Sequence, residues 1–244
     1  MKLPFLFTLF CSVALRAQID TAITVPLVAV HLSAQLPYGD MASRYGTNLN
    51  AGGSFLIKTS SNWLFGLESG YLFGRNVKED VTSQMKNDQG FIIDNEGFPA
   101  DLRITQRGIT FQLVGGRVFK FLSVNPNSGP LLMLGAGFMQ HHIKLYDAQQ
   151  RIAAVEGDLV KGYDRLSAGF CLSQFVGYLY LSKNRYANFY AGLEFYHGFT
   201  RSVRGFNYDK GLPDTSRRMD GLAGFRFGWI LPLYKKKPNE FYYY

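Results

Sequence analysis

The sequence predicts an all-β fold, an eight-stranded antiparallel up-and-down transmembrane β-barrel. Eight segments alternate apolar and polar residues with a period of two, which is typical of strands that differ in polarity between their two faces. Long and short connections alternate between these segments, as they do in barrels of the bacterial outer membrane. The composition agrees, because 16% of the 244 residues are aromatic and 26 are glycine.

Residues 1–17 have the pattern of a secretory signal peptide. Lys2 precedes an apolar run that is too short to cross a bilayer as a helix, and we predict cleavage after Ala17. A lipid anchor on Cys11 is the alternative, although bulky Phe10 precedes it. The mature chain would keep only Cys171, so no intramolecular disulfide is predicted.

The first three strands are predicted at 28–36, 48–58 and 63–74. In the first, Val28, Val30 and Leu32 share one face, while His31 and Ser33 share the other. A loop begins at Pro37. The second and third strands are separated only by a short turn at 60–62, which predicts an antiparallel hairpin.

The remaining strands are separated by polar loops and by turns rich in Asn, Ser, Gly and Lys. They are predicted at 104–119, 131–145, 165–180, 189–198 and 222–231. The long connections are 76–103, 146–164 and 201–218, and no later stretch of about twenty apolar residues predicts a helical membrane span. One barrel domain, 18–234, is therefore expected, followed by a periplasmic tail, 235–244.

The polarity of the two faces separates a membrane barrel from a soluble, lipocalin-like barrel, which turns its apolar face inward. The less apolar face is mostly small and uncharged, which suits a narrow lumen better than a water-exposed surface. Its isolated charges are predicted to form one luminal network of Lys58, Glu68, Arg165, Glu194 and Arg226. Interfacial anchors on the apolar face are predicted at Trp63, Tyr71, Tyr178, Tyr180 and Trp229.

The luminal charges predict a structural plug, because eight strands leave room for side chains and little else. A gate or an ion path is the alternative. An enzymatic interpretation would use His142 with Glu194 and Ser167, but no nucleophile motif supports it. Adjacent His141 and His142 point to opposite faces of a strand, so no metal site and no cofactor are predicted.

The loops and the tail offer surfaces for partners. The stretch 76–103 is acidic and 201–218 is basic, so the two could pair with each other, contact lipopolysaccharide phosphates or dock a partner protein. The tail carries the candidate docking residues Lys235, Lys236, Lys237, Phe241, Tyr242, Tyr243 and Tyr244. Recognition of this tail by the barrel-insertion machinery and a plain ordered tail are the alternatives. The net charge of +8 does not predict nucleic-acid binding, because no binding motif accompanies it.

Several short motifs resemble those of small outer-membrane β-barrel proteins of the Bacteroidota, a porin-like family. They are Ala17-Gln18, Leu36-Pro37-Tyr38-Gly39-Asp40, Lys161-Gly162-Tyr163-Asp164-Arg165, Asn188-Phe189-Tyr190 and Leu193-Glu194-Phe195. The resemblance implies an outer-membrane location, with contacts to outer-membrane lipid, lipopolysaccharide and other outer-membrane or periplasmic proteins. We expect a non-catalytic structural or accessory subunit, and the resemblance includes subunits of envelope assembly and secretion complexes. A narrow porin-like channel and a lipid-modifying barrel enzyme are the alternatives.

Overall fold

The structure, a computed structural model, describes residues 21–149, 151–182 and 186–233. The predicted signal peptide and C-terminal tail lie outside these residues. The strands are β1 (Val25–Gly39), β2 (Asn48–Lys58), β3 (Trp63–Gly74), β4 (Leu102–Val118), β5 (Gly129–Asp147), β6 (Ser167–Tyr180), β7 (Phe189–Ser202) and β8 (Arg217–Pro232). A short helix, α1 (Asp40–Arg44), follows β1, and single 3-10 turns occupy Ser83–Met85, Ala153–Val155 and Leu159–Gly162. None of the helices in the described residues has the length and apolar content to cross a membrane.

The eight strands form one closed antiparallel barrel, which confirms the predicted fold class. Each strand pairs with the next along the chain, and β1 closes the ring by pairing with β8 from Leu27↔Pro232 to Gly39↔Asp220. The connections 59–62, 119–128 and 181–188 lie at one end, here called the turn end, and the three longest connections lie at the other. The connections 40–47, 75–101, 148–166 and 203–216 meet at the other, the loop end.

The strand bounds agree with the sequence prediction for β2 and β3, and the other strands differ mainly at their ends. The β4–β5 hairpin extends beyond β3 as far as the pair Leu102↔Asp147, so it projects from the barrel at the loop end. The sixth strand begins at Ser167 and not at Arg165. Arg165 has a φ of 50°, which is left-handed and breaks the extended backbone before the strand starts.

The outer face of the barrel is apolar, as a hydrocarbon-facing surface requires. Strand β4 marks the two borders of this apolar band, because Arg107 and Arg117 both lie on the outer face. The outward residues of β4 between them are Ile109, Phe111, Leu113 and Gly115. The segment 108–116 has about the length that a tilted strand needs to cross the bilayer core. This face supports the transmembrane barrel over the lipocalin-like one.

The lumen is filled by two apolar clusters with polar side chains between them. The turn-end cluster comprises Val25, Leu27, Ala29, Leu56, Leu64, Val114, Val118, Leu131, Met133, Phe175, Leu179, Leu181, Tyr190 and Ile230. The loop-end cluster comprises Met41, Tyr45, Leu72, Val81, Met139, Ile143, Leu145, Cys171, Tyr196 and Leu222. Both clusters are buried, so each closes one end of the barrel.

Candidate functional site

Arg226 is the centre of a buried charge cluster in the middle of the lumen. Its Nη1 lies 2.8 Å from Glu68 Oε2 and its Nε lies 2.5 Å from Glu194 Oε2. The remaining nitrogen, Nη2, donates to the Tyr196 hydroxyl at 2.6 Å, and Gln35 Nε2 donates to Glu194 Oε1 at 2.5 Å. Two of the guanidinium nitrogens therefore hold the two carboxylates and the third holds the Tyr196 hydroxyl. Arg226 itself is only 2% exposed.

The structure brings Glu68, Glu194 and Arg226 of the predicted luminal network together, but it places Lys58 and Arg165 elsewhere. Lys58 is the last residue of β2, so its side chain lies at the turn end, where Nζ donates to Asn127 Oδ1 at 2.9 Å. Asn127 in turn anchors the chain before β1, because Oδ1 accepts from the Ile23 amide and Nδ2 donates to the Thr21 carbonyl, both at 2.9 Å. Arg165 lies at the opposite end, among the loops. The five predicted charges thus occupy three separate places.

A second buried polar cluster surrounds Asp220 beneath the loops. The carboxylate is ion-paired with Arg44, joined to His141 Nε2 at 2.8 Å and hydrogen-bonded by the Thr200 hydroxyl at 2.5 Å. Arg44 comes from α1, so this pair holds the helix across the mouth of the barrel. Sequence reasoning missed Asp220 and Arg44, since no motif marks them and Asp220 precedes the predicted start of the eighth strand.

The proposed group of His142, Glu194 and Ser167 does not assemble. His141 points into the lumen and His142 points outward, because successive strand residues alternate between faces. The Ser167 hydroxyl donates to the Arg165 carbonyl at 3.2 Å and accepts from Arg44 at 3.3 Å and from Arg218 at 3.1 Å. Within residues 21–149, 151–182 and 186–233, no cluster of His, Cys, Asp and Glu is arranged to hold a metal ion.

The predicted interfacial aromatics lie on the outer face. Four of them are near the turn end, Trp63, Tyr178, Tyr180 and Trp229, whereas Tyr71 lies towards the loop end of β3. The Arg117 guanidinium lies 5.2 Å from the Trp63 ring. Tyr180, Phe189 and Phe227 stack in a row with ring centroids 5.2 and 6.2 Å apart. These contacts form an aromatic belt on this side of the apolar band.

Arg165 ties three loops together above the Asp220 cluster. Its Nε donates to Glu79 Oε1 at 2.9 Å, and its Nη2 is ion-paired with Asp209. Burial alone lowers the pKa of Arg165, but the bonds to Asp209 and Glu79 outweigh burial and raise the pKa. Lys210 Nζ also lies 3.3 Å from Glu79, so the acidic and basic loops contact each other directly.

Other polar contacts extend this linkage across the loop end. Asp164 binds Arg204, with Oδ2 2.5 Å from Nη2, and Asp214 is ion-paired with Arg218 at the start of β8. Burial raises the pKa of Asp214, but hydrogen bonds from Arg218 and other groups overcome this and hold the pKa at about 2. The connections 75–101, 148–166 and 203–216 are therefore cross-linked, and together they are called the loop cap.

Several large apolar side chains of this cap are exposed. They are Phe91, Phe98, Leu159, Val203, Phe206, Tyr208 and Leu212. Phe91 and Phe98 each end a turn, 87–91 and 94–98. The Asn87 and Asp94 side chains hold these turns, because they accept from the Phe91 and Phe98 amides at 2.9 and 2.8 Å. The cap thus presents apolar residues on a hydrogen-bonded frame.

Three solved structures illustrate how the chain compares with known proteins. The attachment invasion locus protein Ail of Yersinia pestis is 9% identical, with a TM-score of 0.41 over 86% of this chain and 99% of that one. OprG of Pseudomonas aeruginosa is 12% identical, with a TM-score of 0.40 over 88% and 99%. The N-terminal β-barrel domain of OprF from the same organism is 11% identical, with a TM-score of 0.38 over 85% and 99%. No family model and no curated protein matches the chain.

Proposed function

We propose that this protein is a non-catalytic barrel of the outer membrane that acts as a structural or accessory subunit and binds partners through its loop cap. The observation that carries the proposal is a lumen closed at both ends beneath a cross-linked cap that exposes apolar side chains. A barrel filled in this way offers no solute path, so its accessible surfaces are its loops, its turns and its lipid-facing wall.

The membrane location rests on the wall. An apolar outer face with an aromatic belt would be costly in water and is stable in hydrocarbon. Among membranes, the outer membrane accommodates closed antiparallel barrels whose long and short connections alternate. The predicted signal peptide agrees with export to that membrane.

A channel is less well supported because Arg226 fills the centre of the lumen and the two apolar clusters close its ends. An enzyme is less well supported because Ser167 is bonded to two guanidinium groups and His142 points away from Glu194. The buried His141–Asp220 pair contacts Thr200 and Arg44, and its position beneath the cap shields it from substrate.

Affinity purification from native envelopes tests the accessory role. The tag is placed so that the C-terminal tail remains free, and co-purifying outer-membrane or periplasmic proteins are quantified for the wild type and for Phe91→Ser/Phe98→Ser. We expect the double variant to lose a stoichiometric partner. Leu122→Ser is the matched control, since Leu122 is exposed at the turn end and should retain the partner.

Recovery of the barrel alone from wild-type envelopes would count against an accessory role. Retention of the partner by Phe91→Ser/Phe98→Ser, with loss on deletion of residues 235–244, would move the docking site to the tail. Single-channel recordings in planar bilayers test whether the lumen is closed to ions. Defined conductance steps from the wild-type protein would favour the porin-like alternative.

A further inference from the structure

A cluster of cations lies on the outer face of the barrel, just beyond the apolar band at the loop end. It consists of Arg75, Arg103, Arg107 and Lys144, here called the cationic patch. Arg107 is the outward residue that bounds the apolar stretch of β4, and Arg75 follows directly after β3. The patch therefore lies at the depth of lipid headgroups on the loop side, close to the polar boundary of the bilayer.

The register of the strands forces these cations together. Thr105 pairs with Lys144 across the β4–β5 ladder, so Lys144 is diagonal to both Arg103 and Arg107 on the same face. Diagonal neighbours lie within reach of long side chains, and like charges at this spacing repel. The only carboxylate paired with the patch in the described residues is that of Asp101, 4.0 Å from Arg103 Nε and itself highly exposed. With four cations against this one exposed carboxylate, the patch is a site of net positive charge with a cavity of about 650 Å³ between its side chains.

An apolar groove adjoins the patch along the wall of the barrel. Ala34 and Ala223 give it a low floor, and larger side chains flank them, among them Leu49, Phe73, Leu193 and Phe225. It encloses about 1050 Å³. Arg75, Thr105 and Arg107 line both the groove and the cavity of the patch, so the two are continuous.

We propose that the patch and groove together bind one phosphorylated, acylated lipid of the loop-side leaflet, with the phosphate on the cations and an acyl chain in the groove. Guanidinium groups suit phosphate because they offer paired donors in a planar fork, and a lysine adds a point charge. The groove has the shape and polarity for a hydrocarbon chain. This inference rests on the membrane location proposed above and is independent of the accessory role.

Native mass spectrometry of the purified full mature chain in a non-ionic detergent tests the proposal. The probes are diphosphoryl lipid A and dimyristoyl phosphatidylcholine, with inorganic phosphate as competitor. We expect lipid A to bind more tightly than phosphatidylcholine, because only lipid A carries a net negative headgroup. Inorganic phosphate at millimolar concentration should leave lipid A bound, since it cannot occupy the groove.

The variants separate the two halves of the site. Arg75→Gln/Arg107→Gln/Lys144→Gln should weaken lipid A binding on the order of 100-fold, from the usual contribution of each interfacial cation. Arg117→Gln removes an outward cation at the opposite border of the same strand and should leave affinity unchanged. Ala34→Phe/Ala223→Phe fills the groove and should weaken lipid A binding while the patch is intact. Circular dichroism confirms folding of each variant.

Three results would overturn the proposal. If the triple variant bound lipid A as tightly as the wild type, the patch would be excluded as the phosphate site. If the wild type bound phosphatidylcholine as tightly as lipid A, the protein would bind lipids without regard to the headgroup. Displacement of lipid A by inorganic phosphate would identify a free-phosphate site. Because the assay contains no partner protein, failure to co-purify a partner and failure to bind lipid are distinguishable.

Discussion

At the scale of single residues, Arg226 is the side chain whose loss the barrel should tolerate least. It is the cation that pairs with both Glu68 and Glu194, and all three are buried. Arg226→Met would leave two carboxylates in the lumen without a counter-charge, and removal of one partner from a buried ion pair costs about 3–5 kcal/mol. We expect a loss of that size in the free energy of unfolding, measured by denaturant titration in detergent micelles.

Two further variants make this prediction specific. Arg117→Met removes an exposed guanidinium that lies over the Trp63 ring, and its effect should stay within about 1 kcal/mol. Adding Glu68→Gln and Glu194→Gln to Arg226→Met removes the uncompensated charge and should restore part of the stability. If Arg226→Met and Arg117→Met were equally stable, the cluster would not contribute to folding in the way described.

Asp214 should make the stability of the protein depend on pH in the acidic range. Its folded-state pKa of about 2 lies below the ordinary aspartate value of about 3.9, so its ionised form stabilises the fold above about pH 4. That contribution shrinks as the pH falls from about 4, because the unfolded state gains a proton first, and it is lost below about pH 2, where the carboxyl is protonated in both states. The stability difference between the wild type and Asp214→Asn should be largest near neutrality and shrink over this interval in denaturant titrations.

At the scale of the strands, substitution of two glycines on neighbouring strands by alanine should change the free energy of unfolding differently. A Cβ on Gly66, inside the barrel, would lie 1.9 Å from the Phe55 carbonyl oxygen, which is backbone and cannot yield. A Cβ on Gly115, on the outer face of the paired strand, would find its nearest atom at 3.6 Å, in the Phe65 ring. We expect Gly66→Ala to cost about 1–3 kcal/mol and Gly115→Ala to be neutral or mildly stabilising. Equal effects in unfolding titrations would contradict the close approach of β2 and β3.

The strands also show what the sequence could predict. Period-two alternation predicted the outward faces correctly, for example Phe225, Phe227 and Trp229 on β8, because only one face meets hydrocarbon. It did not predict the turn-end cluster, where both faces are apolar. Consecutive apolar residues at strand ends, such as Leu56-Ile57 and Leu131-Leu132, were the available signal.

The candidate site was less predictable than the strands, since alternation gives a residue's face and not its height. Arg226 is diagonal to Glu194 across the β7–β8 ladder, and Glu68 meets Arg226 from β3 across the lumen. Lys58 instead lies at the turn end of the barrel. Arg44 reaches Asp220 through a helical turn in the first loop. Such contacts depend on loop conformation, which no periodic pattern encodes.

At the scale of the whole molecule, the even number of strands fixes which segments share a side of the membrane. β1 begins and β8 ends at the turn end, so Val25 and Pro232 both lie on the side of the turns 59–62 and 119–128. In the proposed orientation the loop end faces outward from the cell and the turn end faces the periplasm. The loop cap and the cationic patch would then both be available at the cell surface.

Epitope tags inserted at two exposed sites test this orientation. Gly90 lies in loop 75–101 with open space around it, and Ser61 lies in the turn 59–62. A tag after Gly90 should be labelled by antibody on intact cells, whereas a tag after Ser61 should be labelled only once the outer membrane is permeabilised. Both tagged proteins must retain the β-sheet circular dichroism spectrum of the wild type. If only the Ser61 tag were labelled on intact cells, the proposed orientation would be wrong and the turn end would face outward. The cationic patch would then lie in the inner leaflet, and the phosphorylated lipid should be sought there.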